Sequence, residues 1–156
     1  MKTTRSLLIF MSSMSLMACK NQMHVVTLYV DTSQIDQSSI AQHVSFGQPA
    51  GIANKDFITN VRKGDLVIWQ GLSTSDKSHL VTISSIKHES GDYLINQRVA
   101  NTNRAKKMNY KQFFRKIGAR PNKEQPYAEE KYSLKFKVTN KPDLGPFEID
   151  PKIRSH

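Results

Sequence analysis

The chain has a single cysteine, Cys19, so no disulfide can close within it and a thiolate-rich metal centre is excluded as well. Histidine is scarce: there are five, and none stands in the His-x-His or His-x-x-x-His spacing that presents two imidazoles to one metal. No Gly-x-Ser-x-Gly sequence is present to build a nucleophile elbow. No apolar run is long enough for a comfortable membrane span, since the one opening at Leu7-Leu8-Ile9-Phe10-Met11 is diluted by serines before Leu16-Met17-Ala18. Internal repeats and low-complexity linkers are absent. Acidic residues are missing from 104–123, a stretch otherwise dense in charge.

What the chain does have begins with a targeting pattern. Lys2 and Arg5 form a positive n-region ahead of the short apolar stretch. The stretch ends in Leu16-Met17-Ala18-Cys19, which resembles the bacterial lipobox, where leucine and a small residue precede a cysteine that is lipidated and becomes the new N-terminus. That resemblance implies a lipoprotein signal peptide over 1–18, acyl chains such as palmitate on Cys19, and a lipid tether over 19–23. Residues 24–156 are then expected to form one domain with its own core. Lys20 stands where retention at the inner membrane calls for aspartate, so the expected location is the bacterial cell envelope, on the periplasmic face of the outer membrane.

Charge is concentrated rather than spread. The 23 basic and 13 acidic side chains give a net +10, and without Lys2 and Arg5 the rest carries +8. Arg104, Lys106, Lys107, Lys111, Arg115, Lys116, Arg120 and Lys123 account for all of that excess.

The remaining pattern is that of short strands. His24–Val30 alternates with Val26, Leu28 and Val30 on one face, and a shorter strand follows at His43–Phe46. Phe57–Val61 leads into a Lys63-Gly64-Asp65 turn, from which Leu66-Val67-Ile68-Trp69 departs as a strand buried on both faces. His79–His88 is a long strand, Glu89–Asp92 a hairpin turn and Tyr93–Ile95 its return. Tyr110, Phe113, Phe114 and Ile117 fall at helical spacing inside the basic stretch, with Asn109 as N-cap and Gly118 and Pro121 as a stop. Tyr132–Thr139 alternates strictly, and Phe147–Arg154 does so with Pro151 marking an edge or a bulge. These elements predict an all-β, antiparallel Greek-key sandwich of immunoglobulin-like architecture, with seven to eight strands and one short helical insertion at 104–123.

Two family resemblances add to this. Val61–Trp69 followed by His79-Leu80-Val81-Thr82-Ile83 looks like the middle of a cupredoxin domain, which implies a cupredoxin-like sandwich and carries over one copper ligand, His79. The family's cysteine, second histidine and methionine have no counterpart, so a blue-copper site is rejected. Val30-Asp31, the Val-x-x-Gly-Asp-x-x-x-Trp pattern of Val61–Trp69 and the closing Asp150-Pro151-Lys152-Ile153-Arg154 resemble the bacterial inclusion-body protein family, small β-sandwiches. The anchor signal and the basic stretch depart from that family.

The functional expectation follows from what is left. Ser75-Asp76-Lys77-Ser78-His79 gathers the residue types of a catalytic triad in one loop, but triads are assembled from distant segments, and no enzyme activity is expected. Asp31 and Asp36 are read as solvated turn residues rather than paired acids. The segment 104–123 is the expected contact with a partner: an anionic envelope polymer, a lipid surface or an acidic protein. Its binding residues would be Arg104, Lys106, Lys107, Lys111, Arg115, Lys116 and Arg120, and the export signal argues against nucleic acid. The expected function is a non-catalytic binding or structural module without a cofactor. The alternative is a copper or zinc protein using His79, with His24, His43 or His88 converging on it and Met23 or Met108 as a soft partner.

Overall fold

A computed structural model of the chain describes residues 21–95, 113–118 and 126–156. Its strands are β1 (Met23–Val30), β2 (Val44–Ser45), β3 (Ile58–Val61), β4 (Leu66–Ser73), β5 (Val81–Gly91), β6 (Phe113–Lys116), β7 (Ala128–Val138), β8 (Phe147–Ile149) and β9 (Lys152–Ser155). One α-helical turn, α1 (Ile40–His43), precedes β2. The strands form two sheets, one in the order β2-β1-β4-β6 and one in the order β3-β9-β7-β5, with β8 also paired to β7. The all-β sandwich expected from the strand pattern is therefore what forms.

Three features of the expected architecture are corrected. The sheets are mixed, not antiparallel: β1 runs parallel to β4 from Met23↔Leu66 to Val30↔Ser73, and β3 runs parallel to β9. Alternation of apolar residues fixes which face of a strand is buried, and that face is the same for either direction of pairing. The helix expected over Tyr110–Ile117 is absent at its second half, where β6 pairs antiparallel with β4, Phe113 opposite Trp69 and Lys116 opposite Leu66. A four-residue apolar window satisfies either period, and the open edge of β4 supplies backbone partners that decide it. Ile117 extends the link, donating its N–H to the Asp65 carbonyl (2.9 Å) and accepting from the Gly64 N–H (3.0 Å). Tyr110 lies outside the described residues.

The hairpin expected at Glu89–Asp92 is also replaced. β5 stays paired with β7 as far as Gly91↔Glu130, with irregularities after Ile83 and after His88. The chain then crosses to the other sheet, where Ile95 bridges Ile117 and the Gly118 N–H donates to the Leu94 carbonyl (2.7 Å). Gly91 makes the crossing possible: its φ is +83°, and a Cβ there would stand 2.3 Å from the Glu129 carbonyl oxygen.

Pro151 interrupts the last strand, as its missing N–H requires. β8 pairs with Leu134–Phe136 and β9 with Ala128–Lys131 along one edge of β7, and the Pro151 carbonyl between them accepts from the Tyr132 N–H (3.1 Å). Trp69 and Tyr132 meet in the middle of the core, both fully buried, rings edge-on at 5.7 Å, with the indole Nε1–H donating to the phenol oxygen (2.9 Å). Burial raises the Tyr132 pKa above its ordinary value despite that bond.

Asp65 fastens the start of this core. It is almost fully buried and accepts from the Gln22 N–H, the Arg62 N–H and His24 Nε2, each at 2.8 Å. Burial alone would raise its pKa, but these donors outweigh it and hold the carboxyl below its usual value of 3.8. A depressed folded-state value stabilises the fold above pH 3.8 and ceases to as the pH falls through the folded value. Asp65→Asn is accordingly expected to lower stability at pH 7 and to flatten its fall below pH 3.8, which urea denaturation across pH 2 to 7 would show.

Candidate functional site

Because β1 and β4 are parallel and in register, their C-terminal ends emerge side by side, Val30 opposite Ser73. This sets the β1 exit, Asp31 to Ile35, against the loop from Thr74 to His79 that leads into β5. Thr32 lies at the centre of the junction and is fully buried. Its hydroxyl oxygen is 2.8 Å from Ser73 Oγ, 3.1 Å from Ser75 Oγ and 2.9 Å from His79 Nδ1. Its carbonyl accepts from Asn140 Nδ2 (2.8 Å), while Lys141 Nζ donates to the carbonyls of Ser33 (3.0 Å) and Ile35 (2.7 Å). One buried threonine thus ties together β1, β4, the approach to β5 and the segment after β7.

The acids around this junction serve their own turns. Asp31 accepts from the Ser33 and Gln34 N–H groups, and Asp36 from the Ser38 N–H and hydroxyl and the Ser39 N–H. The hydroxyls of Ser38 and Ser39 bring Asp36 down to about 2. Asp31 is lowered as well: burial works against the charge, but the Ser75 hydroxyl and the two amides outweigh it. Asp76 accepts from the Ser78 N–H and hydroxyl at 2.7 Å each, which lowers its pKa. The reading of Asp31 and Asp36 as turn residues agrees with these bonds.

His79 Nε2 is 3.6 Å from Asp76 Oδ2, so threonine, histidine and aspartate stand in the sequence of contacts a nucleophile, base and orienting acid would make. The geometry does not make them one, because the Thr32 hydroxyl is sealed from solvent and shared among three partners. Beside it an open cleft of about 200 Å³ is lined by Tyr29, Asp31, Gln42, His43, Val44, Ser45 and Thr74. Thr32→Val is expected to keep the shape but take the shared hydroxyl from Ser73 Oγ, Ser75 Oγ and His79 Nδ1, while Ser73 Oγ keeps the Asp76 N–H and Ser75 Oγ the Ser33 N–H, lowering stability by about 1 kcal/mol in urea denaturation.

The histidines do not converge. His24 pairs with Asp65, His43 lies 3.9 Å from Asp31, His79 contacts Thr32 and Asp76, and His88 is 3.1 Å from Glu130. Among the described residues no group of three or more His, Cys, Asp or Glu is arranged to hold a metal ion.

Glu130, absent from the sequence reading, anchors a second buried polar centre. It is 1% exposed and accepts from the Leu94 N–H (2.6 Å), the Ile95 N–H (2.7 Å) and His88 Nδ1 (3.1 Å). His88 in turn stacks on the exposed ring of Tyr93, centroids 3.7 Å apart. Burial raises the Glu130 pKa, and the three donors only partly offset it. Its signal was its parity: counted back from Tyr132, Leu134 and Phe136, residue 130 points inward.

Of the predicted contact residues the structure describes two. Arg115 is opposite Val67 and Lys116 opposite Leu66 on β6, and burial lowers the Arg115 pKa. Arg104, Lys106, Lys107, Lys111, Arg120 and the lipidation candidate Cys19 lie outside the described residues.

No family model matches the chain, and no curated protein does. A solved structure does, with a TM-score of 0.57: the inclusion body protein PixA from Burkholderia cenocepacia J2315. The fold is similar to that of PixA. The match covers 89% of this chain and 96% of PixA at 14% identity, so it speaks for the fold alone.

The residues that suggested the likeness to PixA's family are fold determinants here. Gly64 takes φ +91° in the turn, Asp65 locks it, and Val61 and Trp69 are core. In the closing pentad Asp150 pairs with Lys131 (2.5 Å), Ile153 is fully buried and Arg154 grips Glu129 (2.7 Å).

Proposed function

We propose that the protein is a lipid-anchored envelope protein whose β-sandwich acts as a non-catalytic binding or structural module, with the basic stretch 104–123 as its contact with an anionic surface. The observation that carries this reading is the concentration of all the excess charge of residues 19–156 in that one stretch, the rest of them balancing to zero. The sealed Thr32 hydroxyl supports the non-catalytic part, since no substrate reaches it. The Leu16–Cys19 pattern supports the anchor, and the outer-membrane location rests on Lys20. Within this reading the chain is a membrane-tethered relative of the inclusion-body proteins, supported by the likeness to PixA and by the three shared motifs. The cupredoxin likeness contributes architecture only.

Metabolic labelling with palmitate tests the anchor. Label is expected in the membrane fraction of cells making the full chain, and Cys19→Ser is expected to abolish the label and release the protein. An unlabelled wild type, or label that survives Cys19→Ser, overturns it.

A further inference from the structure

The four-stranded sheet has an open side. β2 covers β1 only at Tyr29 and Val30, so Met23 to Leu28 are paired with β4 on one side and with no strand on the other among the described residues. The direction of each peptide group follows from the bonds at the two ends of β1. The carbonyls of Gln22 and Val30 accept from the Leu66 and Thr74 N–H groups, so even-numbered residues turn their N–H and C=O toward β4. The Asp31 N–H donates to the His43 carbonyl, on the β2 side. Met23, Val25 and Thr27 therefore present their N–H and C=O groups outward along an uncovered edge.

This edge lacks the features that usually keep strands from pairing with strangers. Met23–Leu28 contains no lysine, arginine, acid or proline, its register with β4 is unbroken, and His24 is turned to Asp65. Met23 and Val25 are 64% and 51% exposed. The other outer strands are protected: β6 carries Arg115 and Lys116, β5 is broken by two bulges, and β3 is only four residues long.

We propose that β1 is a self-assembly edge, through which two copies of this chain pair antiparallel about a two-fold axis at Val25. In that register Val25 faces Val25 of the second copy and Met23 faces its Thr27, each pair exchanging both backbone hydrogen bonds, since all three residues point their peptide groups outward. The two four-stranded sheets become one continuous sheet. A second copy fits this edge because the strand is self-complementary and uncharged, so two strongly basic chains meet there without like charges opposed.

Sedimentation equilibrium of residues 19–156 carrying Cys19→Ser, which hold every described contact of the fold, tests the proposal. The expected result is a dimer at tens of micromolar. Val25→Lys sets two ammonium groups against each other at the axis and is expected to weaken dimerisation at least tenfold, as is Thr27→Pro, which removes an edge N–H, no backbone bond to β4, and only the Gln70 side-chain bond to the Thr27 hydroxyl. Leu72→Lys, 41% exposed on β4 and away from the edge, is expected to leave the dimer intact. Circular dichroism confirms that each variant is folded. A monomeric parent, or a folded Val25→Lys variant that dimerises like the parent, overturns the proposal.

Discussion

Glu130→Ala is expected to lower stability by about 3 kcal/mol, because it strands the Leu94 and Ile95 amides and His88 Nδ1 in a site from which water is excluded. Glu130→Gln is expected to cost far less. The glutamine oxygen can accept from both amides as Oε2 now does, and its NH₂ can donate to His88 Nδ1 in the ring's other tautomer. The two variants also separate by pH. The folded-state value of Glu130 is raised above 4.5, so its stabilising contribution is complete below about pH 4.5 and is lost as the pH rises through the folded value. Glu130→Gln removes that loss and should flatten this part of the profile. Urea denaturation between pH 4 and 8 is the measurement, and a glutamine variant as damaged as the alanine variant would contradict the assigned bonding.

Trp69→Ala is expected to cost about 4 kcal/mol, the largest single effect in the chain. The indole is fully buried against Tyr132, and its removal leaves a cavity between the two sheets together with a phenol hydroxyl that has lost its donor. Trp69→Phe keeps most of the volume and is expected to cost about half as much, largely through the lost hydrogen bond. Equal losses for the two variants in the same denaturation experiment would assign the effect to the bond and not to the cavity.

How much of this was legible in the sequence depends on what alternation encodes. Alternation marks the buried faces of β1 and β7, the continuous run Leu66–Trp69 marks β4 as buried on both faces at Val67–Trp69, and Pro151 marks the break, because side-chain period and proline chemistry are local. The direction of pairing was not readable, since the partners β1 and β4, or β3 and β9, are separated by long stretches of chain and look the same either way. Phe113–Lys116 fits two periods, and only the free edge of β4 decides between them. At the site, His79 was visible but its partner Thr32 was not, although Val26, Leu28, Val30 and Thr32 share one parity. Glu130 is hidden in the same way, because strict alternation is evident only from Tyr132 whereas β7 starts at Ala128. A polar residue on the inward parity of a strand, or just past its end, is the signal that finds both.

The parallel register that joins Thr32 to His79 spends these polar groups on holding the loops together. The function proposed for the chain rests instead on the charge excess of 104–123. The most direct test is co-sedimentation of residues 19–156 carrying Cys19→Ser with vesicles of phosphatidylglycerol and phosphatidylethanolamine at low salt. Binding is predicted to fall as salt is raised and to be largely lost when Lys106, Lys107, Lys111 and Arg115 are replaced by glutamine. Unchanged binding by that folded variant, or none by the parent protein, would contradict the basic stretch as the contact.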